Sequence, residues 1–164
     1  MITLTKKQSD AIKIMSTKFN NKDPITVIVG YAGSGKSSLI NYFIENNDLM
    51  DKTRFVTFTG KASLVLQNKG LPATTIHKLI YDVFKNRRTG KFYFRKKATL
   101  HPSIKLLVVD EVSMVPANLL RDLMSFKIPI IALGDPGQLE PIGEDNGLLK
   151  KPDFFLDEIH RQAM

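Results

Sequence analysis

Ala11, Ile12, Met15 and Phe19 fall on one face of TKKQSDAIKIMSTKF, with polar residues between them. That spacing predicts an amphipathic helix, and Thr5 followed three residues later by Gln8 has the form of a capping box at its start. The pattern then changes. ITVIV (25–29) is a continuous apolar run of mainly β-branched residues, the mark of a strand covered on both faces. Leu39, Ile40, Phe43 and Ile44 return to the helical period, RFVTFT predicts a second strand, and KASLVLQN predicts a short helix stopped by Gly70 and Pro72. TTIHKLIYDVF carries Ile76, Leu79, Ile80 and Val83 at i, i+3, i+4 and i+7 and reads as one further helix. IKLLVVD, IPIIAL and FFLDEI add three strands, and a helix is expected from Pro116, where proline suits a first turn. Apolar strands alternating with helices predict an α/β fold, a mainly parallel sheet covered by helices on both faces.

Charge adds one exception to this rhythm. Lys85–Lys105 holds eight Lys or Arg and no Asp or Glu, and outside it sixteen basic residues balance the sixteen acidic ones. The whole net charge of +8 therefore sits in 85–105, expected to be an inserted basic β-hairpin with its turn at Thr89-Gly90. Alternation places Phe92 and Phe94 on one face, and Lys91, Tyr93 and Arg95 on the other. Such a patch favours a polyanionic partner. The 164 residues, 43% of them hydrophobic, suggest one domain, 1–164, with a sizeable core. The longest apolar runs are strand-length, so no membrane segment is expected, and no signal peptide pattern is visible. The lack of cysteine excludes disulfides and cysteine metal sites and fits a reducing, cytoplasmic setting.

The chemistry begins after the first strand. GYAGSGKSS contains G-x-x-x-x-G-K-[ST] at Gly30–Ser37, between a predicted strand and a predicted helix. Glycines let the loop wrap so that backbone N–H groups point at phosphate oxygens, and the helix N-terminus adds partial positive charge. The nucleotide-binding set is Gly30, Tyr31, Ala32, Gly33, Ser34, Gly35, Lys36, Ser37 and Ser38, with Lys36 for the β- and γ-phosphates and the Ser37 hydroxyl for Mg2+. LLVVDE places Asp110 at the C-terminal end of a buried strand, positioned to hold Mg2+, with Glu111 as general base for an attacking water. An acid pair favours hydrolysis over transfer to a small-molecule hydroxyl, against a nucleoside kinase. LGDPGQLEPIG follows another strand, and Gln138 there could sense the γ-phosphate of ATP.

With LTKKQSDAI, FTGKAS, TTIHKL, VVDEVSM, GDPGQLEPIG and LDEIHRQ in this order, the chain resembles superfamily 1 DNA helicases of the RecD and Dda type, which include several phage enzymes. The resemblance implies a RecA-like P-loop NTPase fold, ATP and Mg2+ as cofactors, single-stranded and fork DNA as partners, and a bacterial or phage-infected cell. It implies that Gln8 reads adenine, that Thr59, Lys61, Thr75 and His77 contact DNA, and that Arg161 reaches the γ-phosphate. Phe58 stands where many relatives have proline, and Glu140 where they often do. The hairpin, with Arg87, Arg88, Lys91, Phe92, Tyr93, Phe94, Arg95 and Lys96, occupies the interval in which such helicases carry a pin at the fork. It would track phosphates and offer an aromatic for stacking. Phe92 and Phe94 could instead anchor the hairpin to the body.

A second RecA-like domain is implied as partner, and the arginine it would supply is worth several orders of magnitude in rate. The catalytic set in these residues is Lys36, Glu111, Gln138 and Arg161, expected to be weak or inactive in ATP hydrolysis without that domain. The alternative is a nucleotide-gated DNA-binding module without significant turnover.

Overall fold

A computed structural model describes residues 3–137 and 144–157. Gln138, Glu140 and Arg161 therefore lie outside the described residues. Helix α1 (Lys6–Asn20) starts with the expected capping box, in which Thr5 Oγ1 accepts from the Gln8 amide at 3.2 Å and the Thr5 amide donates to Gln8 Oε1 at 3.0 Å. Then follow β1 (Ile25–Gly30), α2 (Lys36–Asn46), β2 (Thr53–Thr57), α3 (Gly60–Asn68), β3 (Ala73–Thr75), α4 (Ile76–Ile80), β4 (Tyr81–Lys85) and β5 (Phe92–Lys96). The order ends with β6 (Leu106–Val109), α5 (Ala117–Met124), β7 (Ile130–Gly134) and β8 (Phe154–Leu156).

Six strands form one sheet in the order β3-β2-β6-β7-β1-β8, and every pairing in it is parallel. This is a RecA-like P-loop fold, with helices flanking a central sheet. Strand alternation explains the continuous apolar runs. Ile28, Leu106, Val108, Ile131 and Leu133 face a core completed by Met15, Leu39 and Phe43 of α1 and α2. Val27, Val29, Leu107, Val109 and Ala132 face the other, with Ile76 and Ile80 of α4 and Leu119, Leu120 and Leu123 of α5. With both faces covered, β1, β6 and β7 read as nearly unbroken apolar runs, while β2 and β3 at one side also carry threonines, of which Thr53 and Thr57 are buried. Among the described residues no helix is long and apolar enough to cross a membrane.

Two expectations are corrected. TTIHKLIYDVF is not one helix: α4 ends at Ile80, and Tyr81–Lys85 is a strand paired antiparallel with Phe92–Lys96. Val83 satisfies the helical spacing, yet Tyr81, Val83 and Phe84 are strand formers, and the cross-strand partners that decide between the two lie ten residues on. The paired hairpin thus begins four residues before the basic run and closes at Lys96. Strand β3, three residues long, was not foreseen, being too short to show a period.

Candidate functional site

The phosphate loop leaves the C-terminal end of β1 and enters α2 at Lys36. Glycine is required at its first position: a Cβ on Gly30 would lie 2.5 Å from Ser34 Oγ and 2.9 Å from the Leu156 carbonyl. Gly33 and Gly35 adopt left-handed backbone, at φ 81° and 90°, which side-chain-bearing residues enter only at a cost. Gly35 caps α2 without a side-chain acceptor, so no side chain satisfies the first-turn N–H groups there. The cavity beside the loop, about 510 Å3, is lined by Ala32, Gly33, Gly35, Lys36, Ser37 and Ser38.

Lys36 Nζ donates to the carbonyls of Gly30 and, at 3.1 Å, Tyr31. Burial pushes its pKa down, and the nearby carboxylates of Asp135 and Asp110 pull it back up. Ser34 Oγ is buried and has no hydrogen-bond partner among the described residues. Across the loop, Asp110 is half-buried at the end of β6, its Oδ1 accepting from the Glu111 amide at 3.0 Å. Burial raises the Asp110 pKa, opposed by that hydrogen bond and by Lys36 and Lys69. Ser37 and Asp110 line one small cavity together. A hydroxyl and a carboxylate suit Mg2+, which keeps several waters and takes one or two carboxylates. The left-handed glycines and the orphaned Ser34 hydroxyl likewise fit a phosphate chain.

Lys69, which ends α3, also lines the phosphate cavity. No motif signals it, because only the packing of α3 brings it across to the loop. Gln8 is buried, with its Oε1 engaged by the cap. Tyr31 meets Phe155 edge-on, ring centroids 5.8 Å apart.

The other residues expected to meet DNA form a second group. Thr59 and Thr75 cap α3 and α4, accepting from the Ala62 and Lys78 amides at 3.2 Å each. Lys61 and His77 are exposed. A continuous aromatic row runs from Phe58, beside the C-terminal end of β2, to His77 (6.2 Å), Tyr81 (5.6 Å) and Phe94 (6.4 Å). It lines a cavity of about 550 Å3 with Pro116, Asn118 and Leu119. In the sequence Phe58 stands out only as a departure from the proline of relatives, and the helical spacing around Tyr81 masks it.

At the hairpin tip Asn86 Oδ1 accepts from the Arg88 and Thr89 amides, and Gly90 turns at φ 72°. Arg87, Arg88 and Lys91 are exposed there. On one face Phe84 stacks on Tyr93 at 5.4 Å with the Arg95 guanidinium 4.5 Å from the Phe84 ring; on the other, Lys85 lies over Phe92. The alternation expected for Phe92 and Phe94 against Tyr93 and Arg95 holds. The root is fastened by Tyr81, whose hydroxyl donates to Asp122 of α5, and by Lys96, which donates to Ser125 Oγ at 2.7 Å. Phe92 and Phe94 stay 66% and 61% exposed, whereas Tyr81 packs against the core at the root and Lys96 also lies over the Phe126 ring.

The fold and the loop define a P-loop nucleotide-binding domain. The chain belongs to the AAA domain family, whose model matches residues 3–164. It is 28% identical over 168 residues to the ATP-dependent DNA helicase dda of Enterobacteria phage T4, and 29% identical over 190 residues to an uncharacterized protein, R530, of Acanthamoeba polyphaga mimivirus. Those alignments take in 95% and 96% of this chain but 38% of each relative, so the chain spans well under half their length. In fold it is similar to Bacteroides Pif1 bound to single-stranded DNA (TM-score 0.63, 21% identity, all of this chain and 44% of that one) and to the Pif1 helicase of Candida albicans (TM-score 0.64, 22% identity, 99% of this chain and 41% of that one). The likeness is shared between dda in sequence and Pif1 in fold, and does not single out the RecD and Dda type.

Proposed function

We propose that the chain is the first motor domain of an ATP-driven DNA helicase. ATP with Mg2+ binds at Gly30–Ser38, held by the loop amides, Lys36, Ser37 and Asp110, with Gln8 at the base. Magnesium supplies charge neutralisation for the phosphates, while Glu111 orients and deprotonates the attacking water and Gln138 and Arg161 sense the γ-phosphate. A single strand passes the N-termini of α3 and α4, where Thr59, Lys61, Thr75 and His77 face its backbone, and a base stacks on the aromatic row. Arg87, Arg88, Lys91, Arg95 and Lys96 follow phosphates along the hairpin, and Phe92, Tyr93 or Phe94 meets the fork. A second RecA-like domain completes the ATP cleft and the coupling to translocation.

The observation that carries this reading is the aromatic row, which connects the sheet edge holding the phosphate loop to the basic hairpin. The experiment is ATP hydrolysis and forked-duplex opening by the full-length protein, with and without single-stranded DNA. Strand-stimulated turnover and unwinding, both lost in Lys36→Ala, are expected. Nucleotide-dependent DNA affinity with no turnover would instead leave a binding module, and DNA-blind turnover would remove the helicase reading.

A further inference from the structure

At the other end of the sheet, where β1, β2, β6 and β7 begin, a cavity of about 720 Å3 opens to solvent. Its apolar surface comes from Phe19, Leu49, Met124 and Ile128, and its rim from Lys22, Lys52, Lys105 and Lys127, with no acidic residue among those lining it. All four lysines are exposed, and none takes part in the ion pairs found among the described residues. Asp23 and Asp51 adjoin Lys22 and Lys52 in sequence without lining the cavity. Backbone hydrogen bonds tie the rim together: the Lys105 amide donates to the Lys52 carbonyl at 2.7 Å, and Ile130 to Pro24 at 3.0 Å.

Two of the lysines stand where glycine would be easier. Lys22 ends α1 and Lys127 follows α5, each in left-handed backbone at φ 58° and 56°. The Lys22 and Asp23 amides close a Schellman turn onto Phe19 and Lys18, and the Lys127 amide donates to Met124. Glycine is the usual residue in such a turn; lysine there accepts backbone strain and keeps a charge on the rim.

We propose that this cavity docks an acidic segment of a partner protein that carries one large apolar anchor residue. An apolar floor inside a charged rim has the anatomy of a protein contact, and the rim's unbalanced positive charge selects the acidic complement. Nucleic acid fits poorly, because the floor is largely aliphatic and its one aromatic, Phe19, is half-buried and packed on Phe43. A membrane surface fits poorly as well, because the apolar residues are buried or half-buried while the lysines are exposed, the reverse of an inserting face.

The test uses the full-length protein and a dye-labelled peptide of Asp and Glu residues around one phenylalanine, followed by anisotropy. Saturable binding is expected, weakened roughly tenfold or more when that phenylalanine becomes alanine. Lys22→Gly with Lys127→Gly should weaken it several-fold while the melting temperature holds or rises, since glycine is at ease in both turns. Lys52→Glu with Lys105→Glu should weaken it further, and Arg87→Gln with Arg88→Gln at the hairpin should leave it unchanged. Equal binding by the anchorless peptide, indifference to the rim variants, or loss with the hairpin variant would overturn the proposal. So would failure of the full-length protein to bind; self-association abolished by the rim variants would then assign the cavity to a second copy. The helicase reading is untouched by any of these outcomes, because none of them measures nucleotide binding, turnover or DNA binding.

Discussion

Glu111 adopts φ 51°, a left-handed backbone that costs a non-glycine residue roughly 1–3 kcal/mol. The neighbouring Asp110 amide is held by the Val56 carbonyl, and the Met114 amide closes a short turn onto Glu111. The acid pair is thus set by surrounding backbone rather than by its own preference. Asp110 also works against the fold. Its pKa is raised, so its contribution to stability is fully present below the ordinary carboxylate range and is lost as pH rises through the raised value. Asp110→Asn keeps an acceptor for the Glu111 amide and removes that loss. At neutral pH it should raise the melting temperature and weaken Mg2+-dependent nucleotide affinity. A gain of the same size in acid, where the native carboxyl is already protonated, would contradict the assignment. Gly30→Ala should do the reverse. Its Cβ meets Ser34 and the Leu156 backbone, so about 1–3 kcal/mol of stability and the phosphate affinity should go together, checked by denaturant melts and nucleotide titration. These positions were legible in the sequence because the loop and the acid pair are contiguous motifs at strand ends. Lys69 and Tyr81 were not, since each acquires its role from a residue on another element.

Among the elements, the hairpin depends most on partners beyond itself. An isolated two-stranded ribbon is marginal in water, and β5 is exposed along its whole length. Its order comes from the root, where burial, and then the hydrogen bond to Asp122, push the Tyr81 phenol up to about 12. That contribution is complete below the ordinary tyrosine value and disappears as pH rises through about 12. In an absorbance titration, Asp122→Asn should bring the late tyrosine step down towards the ordinary range; an unmoved step would mean that the bond does not hold the root. Neutralising Arg87, Arg88 and Lys91 should flatten the log–log salt dependence of single-strand binding by about 2, at roughly 0.7 per phosphate contact. The basic run marked this element in the sequence and contained its turn and its second strand, but not its first. Helical spacing absorbed Tyr81 and Val83 because nothing within α4 announces the partner strand.

Across the whole molecule, the parallel sheet was legible because strands buried on both faces leave unbroken apolar runs. The opposite poles were not equally legible. The phosphate loop is one contiguous signature, whereas the lysine-rimmed cavity draws on residues from Phe19 to Pro129 that share no pattern. Between the poles runs α5. Its N-terminal end follows Glu111 through one short turn, and its far end carries Asp122 and, just beyond, Ser125, the two seats of the hairpin root. The hairpin is consequently a pointer seated on the same rod that begins beside Asp110 and Glu111. With strands rising about 3.4 Å per residue, a tilt of only ~5° at the pivot sweeps the tip by roughly 1–2 Å, so movement too slight to notice beside the nucleotide would register as a stroke at the far end.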